Sequence, residues 1–188
     1  MNPEPVELDP EKTEDSLGKG GSILGCRRFM DYDMDILTER IVKNLKSRDI
    51  DILYIIGGDG SLSVAHNIAR KSDGIVVVGV PKTMDNDILW VWHSFGFDTV
   101  VERAATVVNT MDFEAESTGR ICILELFGAQ AGFVAANAAL ASGHVDLVLI
   151  PEQFRGLDKK EAKEAIESYC SYLQQIIRDK ERAHFACI

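Results

Sequence analysis

Two short segments of the 188-residue chain concentrate residue types suited to phosphate chemistry. The first, Gly57-Gly58-Asp59-Gly60-Ser61, ends an apolar run and opens a helical pattern. Its successive backbone N–H groups and the helix dipole can face a phosphate, and its glycines let that phosphate approach the main chain. Asp59 would repel such a phosphate unless a divalent cation lay between them, so it is assigned to Mg²⁺. The alternative is an ordinary strand-to-helix turn, with Asp59 as a helix-start residue. The second segment, Pro81-Lys82-Thr83-Met84-Asp85-Asn86-Asp87, places two carboxylates and an amide within three positions directly after a strand pattern. Asp85 suits a base that takes the proton from an acceptor hydroxyl, Asp87 adds to the metal's ligands, and Lys82 neutralises developing phosphoryl charge. The alternative here is a solvated turn rich in short polar residues.

Other candidates carry weaker signals. His66, His93, His144 and His184 lack ligand-like spacing. Trp90 and Trp92 are expected to form a packed or interface pair, with stacking on a base as the alternative. Glu152, after Pro151, reads either as support for a ligand site or as a solvated loop carboxylate.

The elements that must hold these loops alternate between strand and helix. Apolar Ile36, Leu37, Ile41, Val42 and Leu45 predict a helix over residues 33–46. Residues 52–56 predict a buried parallel strand, and Ser61 is expected to cap the helix that follows. Residues 75–80 predict a strand that stops at Pro81, and residues 96–111 a helix. Further strands are expected over 121–127, 145–150 and 185–188, with helices over 132–142 and from an Asp158 cap to about Arg182. This alternation predicts an α/β fold, with mostly parallel sheets covered by helices on both faces. Ligands in such folds bind beyond the carboxyl ends of strands, where both unusual loops fall.

Bulk properties narrow the partners. A hydrophobic content of 46% supports one domain, or two small lobes that lean on each other. A net charge of −10, with no Lys/Arg run, argues against nucleic acid as a partner. Cys26, Cys122, Cys170 and Cys187 are widely spaced, without a CxxC pair, which suggests reduced thiols. The acidic N-terminal segment lacks the features of a signal peptide, and no apolar run reaches the roughly 20 residues of a membrane span. A soluble cytoplasmic protein, with no membrane partner, is the expectation.

Joined in order, GGDGS, PKTMDND, SFGFDTVVERA at Ser94 to Ala104 and ALASGHVDLVLIPE at Ala139 to Glu152 resemble the 6-phosphofructokinase family. Residues Gly20 to Phe29 are similar to that family's GGTxLGxxR segment. The likeness covers nearly everything from Gly20 to Ile188. GGDG also occurs in lipid and NAD kinases, but those lack PKTxDND.

The resemblance implies two phosphofructokinase-like lobes, both incomplete. Residues 18–95 form the donor lobe and 96–188 the sugar-phosphate lobe, after a mobile acidic tail over 1–17. It further implies Mg²⁺-dependent phosphoryl transfer to fructose 6-phosphate, with ATP favoured over pyrophosphate as donor. Asp85 falls at the position of the family's base. Arg28, Phe29, Gly58, Asp59, Gly60 and Ser61 would meet the donor. Thr83, Met84 and Asp85 would lie against the sugar, with Arg120 reaching the sugar phosphate across a subunit interface; a homo-oligomer is therefore expected. Gly60 favours ATP, because pyrophosphate users tend to carry Asp there, whereas Lys82 occurs in both branches. Phe127-Gly128-Ala129 stands where the family has a sugar-phosphate motif ending in arginine, so Ala129 departs from the pattern. The family's first glycine-rich turn and its later Glu, His and Arg ligands have no counterpart in these residues. A truncated or non-catalytic binding subunit is the alternative.

Overall fold

The computed structural model describes residues 5–23, 25, 33–128, 130–180 and 185–187. Within them, α1 (Pro10–Glu14) precedes the first strand-helix unit, and α2 (Met34–Lys46) begins at the predicted place. Asp33 caps α2, its Oδ1 accepting from the Asp35 N–H at 2.9 Å and the Ile36 N–H at 3.2 Å. β1 (Ile52–Gly57), α3 (Asp59–Lys71), β2 (Val76–Thr83) and β3 (Phe95–Gly96) follow. Next come α4 (Phe97–Thr118), β4 (Ile123–Leu124), α5 (Phe133–Ser142), β5 (Val145–Val148), α6 (Lys159–Lys180) and β6 (Phe185–Cys187).

The strands form two three-stranded parallel sheets, ordered β1-β2-β3 and β4-β6-β5. Parallel pairing and alternating elements confirm the α/β reading. α3 lies against β1 and β2, burying Ala65 and Ile68, and α2 lies against α3, burying Thr38 and Val42. α4 packs on α5 through small residues, Ala104, Ala105, Ala135 and Ala138, which let the helices approach closely. Val108, fully buried, is surrounded by Met111, Cys122, Leu124, Leu126 and Val145.

Several expectations change. Helices on both faces were expected, but one face of the first sheet is open: Ile52, Tyr54, Ile56 and Val76 are 54–64% exposed. Their run of apolar residues reads like a strand buried on both sides, yet only the alternate residues meet α3. β2 continues through Pro81, which pairs with Gly57 at the last rung of the β1 ladder, before pairing with β3 starts at Lys82. A missing N–H is tolerated there because the strand is changing neighbours. α4 runs on to Thr118 and ends at Gly119, whose left-handed backbone stops it. The strand expected over 121–127 is reduced to Ile123–Leu124, the two residues that pair with the short β6. Among the described residues, no helix is long and apolar enough to cross a membrane.

Candidate active site

The turn after β1 differs from the expected one. Gly58, not Ser61, occupies the N-cap of α3, and no side chain caps the helix there. Ser61 lies inside the first turn, and its side chain crowds the place a Cβ on Gly57 would need. The first N–H groups of α3 therefore lack a side-chain acceptor, which leaves the helix end free to meet an anion.

Gly58 also joins the two loops. A Cβ built on it would lie 3.3 Å from Thr83 Cβ and 3.9 Å from the Lys82 carbonyl, so the glycine turn rests directly on the end of β2. Lys82 and Thr83 occupy the last positions of that strand, opposite Phe95 and Gly96. Beyond it, the Asp85 N–H donates to Thr83 Oγ1 at 3.2 Å. Asp85 is half-buried, whereas Asp59 and Asp87 are exposed. Burial, and secondarily the charge of Asp87, raise the Asp85 carboxyl above its ordinary value. Such a carboxyl binds protons more tightly in the folded chain. Its contribution to stability is full at acid pH and fades as pH rises from the ordinary carboxylate value through the raised one. In metal-free protein, Asp85→Asn removes this fading, and Asp87→Asn lowers the Asp85 midpoint without restoring it fully. Melting curves against pH check the first, and carboxyl NMR titration of Asp85 checks the second.

Among the described residues, no group of three or more His, Cys, Asp or Glu side chains forms a metal cage. Asp59 and Asp87, the carboxylates expected to serve a metal, are exposed and without a cationic partner among the described residues, on the two loops that meet at Gly58. That pair fits Mg²⁺, which usually takes one or two carboxylates and fills its remaining positions with water and ligand phosphates.

The other predicted residues are spread more widely. Phe127 and Gly128 line a mostly apolar cavity of about 430 Å³, with Gly132, Ile150, Pro151 and Phe154, and none of Thr83, Met84 and Asp85 reaches it. Arg120 follows the α4 C-cap, largely exposed, with Glu114 Oε1 3.7 Å from its Nη1. An exposed pair of that length contributes little to stability. Arg28, Phe29 and Ala129 lie outside the described residues. Trp90 and Trp92 do not pack on each other in a core: both are almost wholly exposed, line a cavity of about 410 Å³ together with Asp87, and Trp92 stacks on the His93 ring.

Sequence reasoning assigned no role to two contributors, Asn86 and Ser94. Asn86 Oδ1 accepts from the Ser94 N–H at 2.8 Å, and Ser94 Oγ donates to the Thr83 carbonyl at 2.7 Å. Glu152 is not a solvated loop carboxylate, since both its oxygens accept from the Gly132 N–H at 3.0 Å, at the start of α5. Only the left-handed tolerance of Asn and the helix that follows Gly132 could have hinted at these roles.

Parallel sheets with motif loops at neighbouring strand ends define an α/β chain of the kind that presents ligand sites at the carboxyl ends of its strands. The chain belongs to the phosphofructokinase family, which it matches over residues 1–187. It is 38% identical over 159 residues to "ATP-dependent 6-phosphofructokinase 2" of Clostridium perfringens, covering 78% of this chain and 43% of that protein. To "Pyrophosphate--fructose 6-phosphate 1-phosphotransferase" of Amycolatopsis methanolica it is 40% identical over 149 residues, covering 79% and 42%. Its fold is similar to that of phosphofructokinase from Saccharomyces cerevisiae, with a TM-score of 0.71 and 25% identity, covering 96% of this chain and 26% of that one. A pyrophosphate-dependent phosphofructokinase from Marinobacter aquaeolei gives a TM-score of 0.68 at 26% identity, covering 89% and 42%. The chain thus spans less than half the length of these relatives.

Proposed function

We propose that the chain carries the phosphoryl-transfer centre of a cytoplasmic 6-phosphofructokinase, with ATP as donor and fructose 6-phosphate as acceptor. The observation that carries this reading is the seating of Gly58 on Thr83, which joins an uncapped helix N-terminus to the loop bearing Asp85. The α3 N–H groups, with Gly60 and Ser61, hold the donor phosphates. Asp85 takes the proton of the sugar 1-hydroxyl as its oxygen forms the new P–O bond, while the donor's bridging P–O bond breaks and its electrons leave with ADP. Lys82 faces the charge that develops on the transferred group. Asp59 and Asp87 would hold Mg²⁺, which would supply charge neutralisation for the donor phosphates. Thr83 and Met84 are assigned to the sugar and Arg28 and Phe29 to the donor, with Phe127, Gly128 and Ala129 assigned to the phosphate end of the sugar, apart from Thr83 and Met84. Exposed Arg120 serves a second copy of the chain, so the active form is a homo-oligomer.

Pyrophosphate is the rival donor, because Lys82 occurs in both branches and the chain is similar to relatives named for each donor. Ala129 favours a binding subunit without turnover, because loss of one arginine at a transferring phosphoryl group can cost about 10³-fold or more in rate. The donor is tested at Gly60, where an added Cβ meets no protein atom within 4 Å. Gly60→Asp should therefore fold normally yet lose about 10-fold or more of its kcat/KM with ATP, relative to pyrophosphate. An unchanged ratio would contradict the steric account of donor choice. Chelation by EDTA should abolish turnover, and added Mg²⁺ should restore it.

A further inference from the structure

β2 and β3 are parallel neighbours, yet residues 84–94 join them without a helix. Parallel connections normally need about a dozen residues or more, and usually a helix, so this loop is tightly constrained. Side-chain hydrogen bonds close it. Asn86, in the left-handed region at φ 52°, donates from Nδ2 to the Trp92 carbonyl at 3.1 Å and accepts at Oδ1 from the Ser94 N–H at 2.8 Å. Ser94, only 3% exposed, continues the chain of bonds through Oγ to the Thr83 carbonyl at 2.7 Å. Thr83 Oγ1 then holds the Asp85 N–H. The bonds form a ring that begins and ends beside Asp85.

We infer that Asn86 is a positioning residue: its amide ties the return of the loop to its turn and so sets the direction in which Asp85 presents its carboxylate. The inference rests on the reading of Asp85 as the base. Asparagine suits the position on two counts. It tolerates left-handed backbone, and its amide offers a donor and an acceptor on one planar group. Glycine would accept the backbone but make neither bond. Aspartate would lose the donor to Trp92 and add a carboxylate between Asp85 and Asp87.

The test compares Asn86→Gly with Ser94→Ala in the whole chain, using steady-state kinetics, amide hydrogen exchange and thermal melting. Asn86→Gly preserves the backbone while removing both amide bonds. The expected result is a loss of about 10–100-fold in kcat, since misplacement by about 1 Å can cost 10²-fold. KM for the sugar phosphate should change by less than about 3-fold, and the Ser94 and Asp85 amides should exchange faster. Ser94→Ala should show a smaller fall in kcat with the same pattern. Unchanged kcat with unchanged exchange would overturn the inference, as would a loss of rate that only tracks loss of folded protein. If the unaltered chain shows no turnover with either donor, the proposed function fails. Exchange then decides alone: faster exchange at both amides in Asn86→Gly upholds the positioning, and unchanged exchange overturns it.

Discussion

Asp85→Asn lowers turnover by about 10²–10⁴-fold, the range for removal of a general base. The substitution is nearly isosteric, and the bond from the residue 85 N–H to Thr83 Oγ1 belongs to the backbone, so the loop is retained. An amide, however, cannot take the proton of the attacking hydroxyl. The stability change should have the opposite sign. Asp85 is held above its ordinary value by burial and then by the charge of Asp87, so its ionised form is disfavoured in the folded chain. Removing the carboxyl should therefore leave the thermal midpoint at neutral pH equal or slightly higher. A coupled assay and a melting curve on the same preparation read both effects. Turnover within about 3-fold of the unaltered chain would end the assignment of Asp85 as base.

The largest effect on the fold is expected at Gly132. A Cβ added there would collide with Cβ and Cγ2 of Ile150 and lie 2.9 Å from Glu152 Oε2. Ile150 Cβ is fixed to the backbone just beyond β5, so its collision cannot be relieved by rotating a side chain. Gly132→Ala must part the start of α5 from residues 150–152 or break the bonds from the Gly132 N–H to Glu152. Overpacking of this kind costs about 1–3 kcal/mol. In a chain of this size the midpoint falls by about 2–4 °C per kcal/mol. Glu152→Gln should be milder, because the amide oxygen can still accept from Gly132. A Gly132→Ala midpoint unchanged within 1–2 °C, on the same scale, would contradict the close approach.

Much of the fold is legible in sequence because local signals agree. Asp33 and Asp158 announce their helices by side-chain capping; Asp158 Oδ1 accepts from the Lys160 and Glu161 N–H groups, and Glu161 returns a bond to the Asp158 N–H. Glycine after an apolar run marks the end of β1. What misleads is context beyond the local pattern. Pro81 normally stops a strand, but here it falls where β2 exchanges one neighbour for the next. The apolar run 52–56 resembles a strand covered on both faces, whereas the structure covers one. Ser61 has the right chemistry for a cap, yet the cap position falls three residues earlier, at Gly58, and that earlier start leaves the N-terminus open.

The candidate site is legible to the same degree. Residue type and spacing single out the glycine turn and the Asp-rich loop, because few uses other than phosphate and metal chemistry justify so many short polar groups there. Sequence order cannot show that Gly58 rests on Thr83, nor that Asn86 and Ser94 close the loop around Asp85. Both follow from β2 lying between β1 and β3, which is a tertiary property. Phe127 and Gly128, read as neighbours of the sugar, line a cavity that Thr83, Met84 and Asp85 do not reach.

The most direct measurement is the formation of fructose 1,6-bisphosphate from fructose 6-phosphate by the purified chain with Mg²⁺, supplied in parallel with ATP or pyrophosphate. Mg²⁺-dependent product is expected with ATP, as is its loss in Asp85→Asn. No product with either donor would contradict the proposed function.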